Sequence, residues 1–267
     1  MKPGIASISL RKYDIFHALD LAAETGFMGV EISARPPHMP DEFDEYHTKL
    51  VRERLCSNHL AVPMVGSYAR PCLPDFEQKS ADAIKIAKIL GARVIRIWAG
   101  NREPYEASPE FRDLVVKSIR EFALRAEYAG MSLAVEMHAG TLCSIPEGVL
   151  RLIEQANVPN IKVNFQVVNF LEPDLDRYIG MLGDYVVNVH AQNYKPSSVQ
   201  PGKLETCWIE DGLVDYDHLL SLLSQHSFDG YVEAEFLKGE HLCECSMLES
   251  LKRDANYLRK LTAKHTR

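Results

Sequence analysis

The sequence predicts an α/β protein built as one (β/α)8 barrel, a TIM barrel, spanning residues 1–267 as a single domain. Three observations predict it. Short β-branched runs alternate with longer amphipathic runs eight times along the chain, the pattern of parallel strands joined by helices. The 267 residues match the length of about 250 that such a barrel uses. Four runs in the second half start apolar and end on groups that can bind a metal: 133–138 (LAVEMH), 161–166 (IKVNFQ), 185–190 (YVVNVH) and 230–235 (GYVEAE). An open doubly wound sheet shares the alternation, but it usually carries a Gly-rich turn after its first strand, and none is present here.

The elements follow in order. Residues 5–10 (IASISL) read as a strand, and 14–25 as a helix stopped by Gly26. The second strand is 29–33. A helix over 41–59 follows, with Asp41 after Pro40 as its cap. Residues 61–67 form the third strand, and 76–90 a helix ending at Gly91. The fourth strand is 93–98, and 109–129 a long helix closed by Gly130. The fifth strand, 133–138, leads to a helix at 146–155 with Pro146 in its first turn. The sixth, 161–166, leads to 175–182. The seventh, 185–190, leads through a long connection, 191–214, to 216–226. That connection far exceeds the usual few residues. It reads as a lid or substrate wall, or else as a mobile surface insertion. The eighth strand is 230–236, and 247–263 closes the chain as a helix.

Bulk properties narrow the function. Hydrophobic content is 46%, ordinary for a globular core, and the formal charge is −7, which argues against a nucleic-acid binder. No run approaches the roughly 18 apolar residues of a membrane span, and the N-terminal apolar stretch is too short for a signal peptide. The six cysteines, Cys56, Cys72, Cys143, Cys207, Cys243 and Cys245, are expected as reduced thiols in a cytoplasmic protein. Cys243 and Cys245 have no second pair at zinc-finger spacing and are expected on the terminal helix without chemistry. Exposed barrel faces leave room for pairing into a homo-oligomer.

Side chains two apart on a strand share a face. Glu136 and His138 therefore point together, as do Asn164 and Gln166, Asn188 and His190, Glu233 and Glu235, and Arg96 and Trp98. Polar groups inside a barrel need partners. Glu136, Gln166, His190 and Glu235 make a donor set for a hard divalent cation (manganese, magnesium, cobalt or zinc). Two carboxylates bring charge, the imidazole a neutral nitrogen, and the amide a carbonyl oxygen with weaker affinity than an aspartate. The competing reading is hydrogen-bonded structure at each position. His138 reads as a group for a substrate hydroxyl or as a buried structural histidine. Arg96 suits a carboxylate or phosphate, or pairs with Glu31. Trp98 and Tyr68 suit the apolar face of a sugar, or the core.

Several motifs carry a family resemblance: Gly26-Phe-Met-Gly-Val-Glu31, Val135-Glu136-Met137-His138, Val189-His190 followed by Gln192-Asn193, Gly212-Leu-Val-Asp-Tyr216, and Phe228-Asp-Gly-Tyr-Val-Glu-Ala-Glu235. With them the chain resembles the xylose-isomerase-like barrels, the superfamily of sugar-phosphate isomerases and epimerases that includes the endonuclease IV type. The resemblance covers nearly the whole chain. It implies one divalent metal on Glu136, Gln166, His190 and Glu235, where Gln166 replaces an aspartate. Asn169 stands where a histidine often follows, and Gln192-Asn193 replace a lysine and an aspartate. The segment from His138 to Leu142 and the Asn164-Phe-Gln166 motif look like the dehydroshikimate-dehydratase branch.

The resemblance implies proton abstraction next to a carbonyl of a small sugar, polyol or keto acid. Glu136, Glu235 and His138 would be catalytic, and Arg96, Trp98, Glu31 and Gln192 would contact substrate. Isomerase or epimerase is the first expectation. A dehydratase (lyase), or a metal-free carbohydrate-binding barrel, is the alternative. A repair nuclease would need further His and Asp ligands where Gln166, Asn169 and Asn193 stand.

Overall fold

The computed structural model describes residues 1–236 and 244–266. The strands are β1 (Lys2–Ala6), β2 (Gly29–Ser33), β3 (Val65–Gly66), β4 (Val94–Ile97), β5 (Ser132–Glu136), β6 (Ile161–Phe165), β7 (Val186–Ala191), β8 (Asn193–Pro196), β9 (Leu204–Cys207) and β10 (Tyr231–Ala234). Strands β1 to β7 run round a closed parallel barrel, and β10 lies between β7 and β1. The helices are α1 (Ile15–Thr25), α2 (Glu45–Ser57), α3 (Phe76–Leu90), α4 (Pro109–Tyr128), α5 (Pro146–Ala156), α6 (Leu175–Leu182), α7 (Tyr216–Gln225) and α8 (Glu244–His265). The expected (β/α)8 barrel is what forms.

Parallel strands are covered on both faces, so they are buried at every position rather than at alternate ones. All five residues of β2 are buried. Val30 and Ile32 join the apolar layer beneath the helices, and Glu31, between them in sequence, faces the interior polar cluster. The helices start where side chains cap them. Asp14 accepts from the His17 amide, and Ser108 from the Phe111 amide with Pro109 in the first turn.

Most elements shift by a residue or two from their expected bounds, and β5 ends at Glu136, so His138 lies in the loop after it rather than on the strand; three of the shifts have a visible local cause. Helix α2 begins at Glu45, because Asp44 rather than Asp41 accepts from the His47 amide at 2.9 Å. The first strand ends at Ala6, and Ser7–Leu10 form a 3-10 turn. The Ser7 hydroxyl takes the Ser33 amide and the Ser9 hydroxyl the Phe236 amide, so side chains replace the ladder there. The third strand shrinks from 61–67 to two residues plus a bridge between Gly29 and Ala61. Pro63 lies between them and has no N–H to give. Helix α8 extends past both expected ends.

The connection 191–214 is structured. β8 and β9 pair as an antiparallel hairpin, and a 3-10 turn, Ile209–Asp211, follows. Asn193 clamps it, donating to the Ile209 and Val214 carbonyls at 2.8 and 2.9 Å and accepting from the Val214 amide at 3.0 Å. From α8, Asp254 Oδ1 accepts the Ile209 amide at 3.0 Å. The Arg253 guanidinium carbon lies 3.7 Å from the Trp208 ring centroid. Cys56, Cys72 and Cys143 are unbridged thiols; Cys243 and the Cys245 side chain lie outside the described residues. No helix among the described residues is long and apolar enough to cross a membrane.

Asp254 is 1% exposed and its Oδ2 has no hydrogen-bond partner. Burial pushes its carboxyl from 3.8 up to about 7, against the pull of the Ile209 amide and Arg253. The fold therefore favours the protonated form. That stability is present below the unfolded carboxyl range and is lost as pH rises through about 7. Asp254→Asn keeps the acceptor without the charge. Its stability advantage over the natural protein should be near zero at about pH 3 and grow to on the order of 2–4 kcal/mol by about pH 8, read from urea unfolding curves.

Candidate functional site

Six ionisable side chains meet inside the barrel, and none is more than 6% exposed: Glu31, Arg96, Glu136, His190, Glu233 and Glu235. β2 supplies Glu31, β4 Arg96, β5 Glu136, β7 His190 and β10 Glu233; Glu235 directly follows β10. Arg96 is the hub. Its Nε donates to Glu31 Oε1 at 2.9 Å and its Nη1 to Glu136 Oε2 at 2.5 Å. To reach Glu31 the guanidinium passes over β3, where Gly66 is the Cα partner of Arg96. A Cβ on Gly66 would lie 2.7 Å from Arg96 Nη2 and closer still to Glu31 Oε1.

The two nitrogens of His190 have different surroundings. Nε2 lies 2.6 Å from Glu31 Oε2. Nδ1 lies 3.1 Å from Glu136 Oε1 and 3.2 Å from Glu235 Oε2. Only the contact to Glu136 is aligned as a hydrogen bond, so Glu235 Oε2 is buried with no hydrogen-bond partner. One layer further, Asn188 Nδ2 donates to Asn164 Oδ1 at 3.0 Å and to Glu233 Oε2 at 2.6 Å.

The charges sort by neighbour. Burial alone would raise every one of these carboxyls. At Glu136 the Arg96 guanidinium and His190 overcome it and lower the carboxyl to about 2. At Glu31 burial is likewise overcome by Arg96 and His190, and its carboxyl is lowered. At Glu233 burial wins and the charge of Glu31 adds to it, so this carboxyl is raised well above its ordinary range. Burial pushes His190 down, but Glu235 and Glu31 reverse it, and the imidazolium is favoured. Two cations thus face the ionised Glu31 and Glu136.

Two triads bring ligand atoms within 4.8 Å of one another: Glu136, His190 and Glu235, and Glu31, His190 and Glu233. The first fits a divalent cation. It offers an orphaned carboxylate oxygen, a second carboxylate, and an imidazole whose other nitrogen is held by an acid, the arrangement that orients a metal-binding histidine. In the second, Glu31 is taken by Arg96 and His190, and Glu233 favours its proton. Gln166 Oε1 accepts from Gln192 Nε2 at 2.8 Å, and Gln192 Oε1 accepts from the Tyr194 hydroxyl at 3.0 Å. An amide oxygen has two lone pairs, so Gln166 Oε1 has one beyond its bond from Gln192.

Aromatic rings lie beside the cluster. Tyr68 and Trp98 meet edge to face at 5.3 Å, and Trp98 lies 5.4 Å from the half-buried His138 ring. His138 Nδ1 is 2.6 Å from the Ala139 carbonyl, which leaves Nε2 for other contacts. Glu103 accepts from the Gly140 amide and the Ser144 hydroxyl and so fixes the loop after His138.

The residues singled out in the sequence thus divide into three groups. Glu136, His190 and Glu235 converge, and Arg96 and Glu31 are their ionic partners. Gln166 and Gln192 hold each other. Trp98 and His138 form a ring contact. Sequence reasoning passed over Glu233 and Tyr194. The shared face with Glu235 was a signal for Glu233; nothing in the pattern marked Tyr194.

Fold and site together define a parallel barrel with a carboxylate–histidine cluster at its strand ends. The chain belongs to the xylose isomerase-like TIM barrel family, which it matches over residues 19–261. It is 23% identical over 242 residues to 3-dehydroshikimate dehydratase of Bacillus anthracis, covering 82% of this chain and 86% of that one. A xylose isomerase-like TIM barrel protein of Mycobacterium smegmatis, solved with magnesium, superposes with a TM-score of 0.78 at 16% identity, covering 99% and 98% of the two chains. L-ribulose 3-epimerase superposes with a TM-score of 0.74 at 17% identity, covering 99% and 95%. At these identities the structural likeness shows a shared fold.

Gly66→Ala forces a methyl group into the Arg96–Glu31 contact. It should lower stability by about 1–3 kcal/mol in chemical denaturation. Gly180→Ala, inside α6 with nothing within 4 Å of the added carbon, should raise it by about 0.5–1 kcal/mol.

Proposed function

We propose that this chain is a divalent-metal-dependent enzyme that removes a proton next to a carbonyl in a small sugar, polyol or keto acid and returns it as an isomerase or epimerase. The observation that carries this reading is the environment of His190: Glu31 on Nε2, Glu136 and Glu235 on Nδ1, and a buried Glu235 oxygen with no hydrogen-bond partner. Glu136, His190 and Glu235 would hold the cation, with Gln166 adding an uncharged oxygen. When bound, a divalent ion supplies Lewis-acid stabilisation to a substrate carbonyl and its neighbouring hydroxyl.

The chain's own groups do the rest. The Glu235 carboxylate oxygen not given to the cation takes the proton from the carbon beside the carbonyl. Glu136, held at about 2, remains the charged partner of Arg96. His138 Nε2 hydrogen-bonds a substrate hydroxyl. Trp98 and Tyr68 wall the apolar face of the substrate. Return of the proton by Glu235 to the neighbouring carbon gives an isomer; a water proton delivered to the opposite face of the same carbon, with the first proton released from Glu235 to the hydroxide left behind, gives an epimer.

A second reading is favoured by the curated relative, a dehydratase. After the same proton removal by Glu235, a β-hydroxyl departs instead of the proton returning to carbon, and Glu235 passes the proton it took to the departing oxygen, which leaves as water. In both readings the substrate is a small molecule.

Manganese at a hundredfold excess over its Kd should raise Tm by roughly 5–10 °C. Glu235→Gln and His190→Ala should each remove that shift in a protein that still unfolds cooperatively. A natural protein whose Tm is unmoved by manganese, magnesium, cobalt and zinc alike would end the metal reading.

A further inference from the structure

The loop leaving β3 carries a guanidinium without an acid. Arg70 is half-buried. Arg96 holds two carboxylates, whereas the Arg70 guanidinium has no ion-pair or hydrogen-bond partner among the described residues. Its guanidinium carbon lies 4.3 Å from the Trp98 ring centroid. Burial holds its pKa below the ordinary value, with Cys72 and then Glu136 pulling against that, so Arg70 shares the field of the interior cluster. A guanidinium stays charged regardless.

Arg70 ends a chain of contacts in which cations and rings alternate. Tyr68 lies between Arg35 and Arg96, at 4.3 and 5.2 Å, and Trp98 between Arg96 and Arg70, at 5.2 and 4.3 Å. The central cation is neutralised by Glu31 and Glu136; the outer two are not. Trp98 also keeps its buried Nε1–H without a partner. The backbone on each side of Arg70 is strained: Tyr68 has φ +50° and Cys72 φ +84°. Side-chain-bearing residues rarely adopt such angles, and they persist where the surrounding structure enforces them, often at ligand sites.

We infer that Arg70, stacked on Trp98, is an oxyanion subsite, and that the substrate of the barrel's interior site carries a carboxylate or phosphate and is not a neutral sugar. This rests on the interior cluster being the reacting site, as proposed above. The planar fork of Arg70 matches two oxygens of either group, and the Trp98 indole N–H is a further donor for the same substrate. A neutral ligand would leave the guanidinium half-desolvated and unpaired. The difference should be about 10- to 100-fold in Kd.

The test is calorimetric titration of the full-length protein, with manganese and again with EDTA, using two matched pairs: shikimate against its methyl ester, and D-ribulose 5-phosphate against D-ribulose. The expected result is at least about a tenfold preference for the anion in one pair, and the pair that responds names the group. Arg70→Met should erase that preference with unchanged Tm, and Arg70→Lys should restore part of it. Equal binding of anion and neutral partner in both pairs overturns the inference. So does a preference that survives Arg70→Met, or no binding of either anion up to roughly 10 mM. Manganese is titrated separately without organic ligand. Failure there, with the anion preference intact under EDTA, removes the metal reading and leaves the subsite standing.

Discussion

A buried arginine makes the interior of this barrel tenable. Arg96 lies between Glu31 and Glu136 and is itself 2% exposed. Carboxylates in such surroundings, without a cation, would take up protons or force the structure open. Much else follows from this one side chain. Glu136 stays ionised because of it. Glu31, anchored on Arg96, can hold His190 by Nε2. His190 then turns Nδ1 toward Glu136 and Glu235, and a site with direction results.

That site is joined to the outer loops by uncharged contacts. Gln166 reaches Gln192, and Gln192 reaches Tyr194 on the hairpin. The superfamily pattern has an aspartate and a lysine in the positions of Gln166 and Gln192. Here an amide pair keeps a donor facing an acceptor and removes both charges. Asn193, next in line, is given over wholly to clamping the hairpin and the turn behind it. Gln166, Gln192 and Asn193 therefore form one connected patch.

Most of the inward set was legible in the sequence because it obeys the two-residue period of a strand: Arg96, Glu136, His190 and Glu235 all lie on that grid, and Glu233, on the same grid, was passed over. Helices α3 and α6 were legible to the residue because periodicity agreed with their ends. What escaped depended on contacts across the fold. Arg96 could be read as facing a ligand or facing Glu31, and the outcome hangs on Gly66 leaving space on β3, the strand between theirs. Asp44 and Asp41 are equivalent as letters; only the chain's path decides which meets the first turn. Ser7 and Ser9 end the first strand by serving amides 26 and 227 positions away. Arg70 lies on a loop with no period and no motif, so only its neighbours reveal it.

The two-residue β3 has a further consequence. Few backbone bonds join β2 to β4 at that point, and the contact of Arg96 with Glu31 spans the gap from inside. The same pair of side chains therefore rivets the thinnest staves of the cylinder and sets the polarity of its chemistry. Selection acting on reactivity at Arg96 or Glu31 would also act on closure of the wall, so drift at these two positions is constrained twice over.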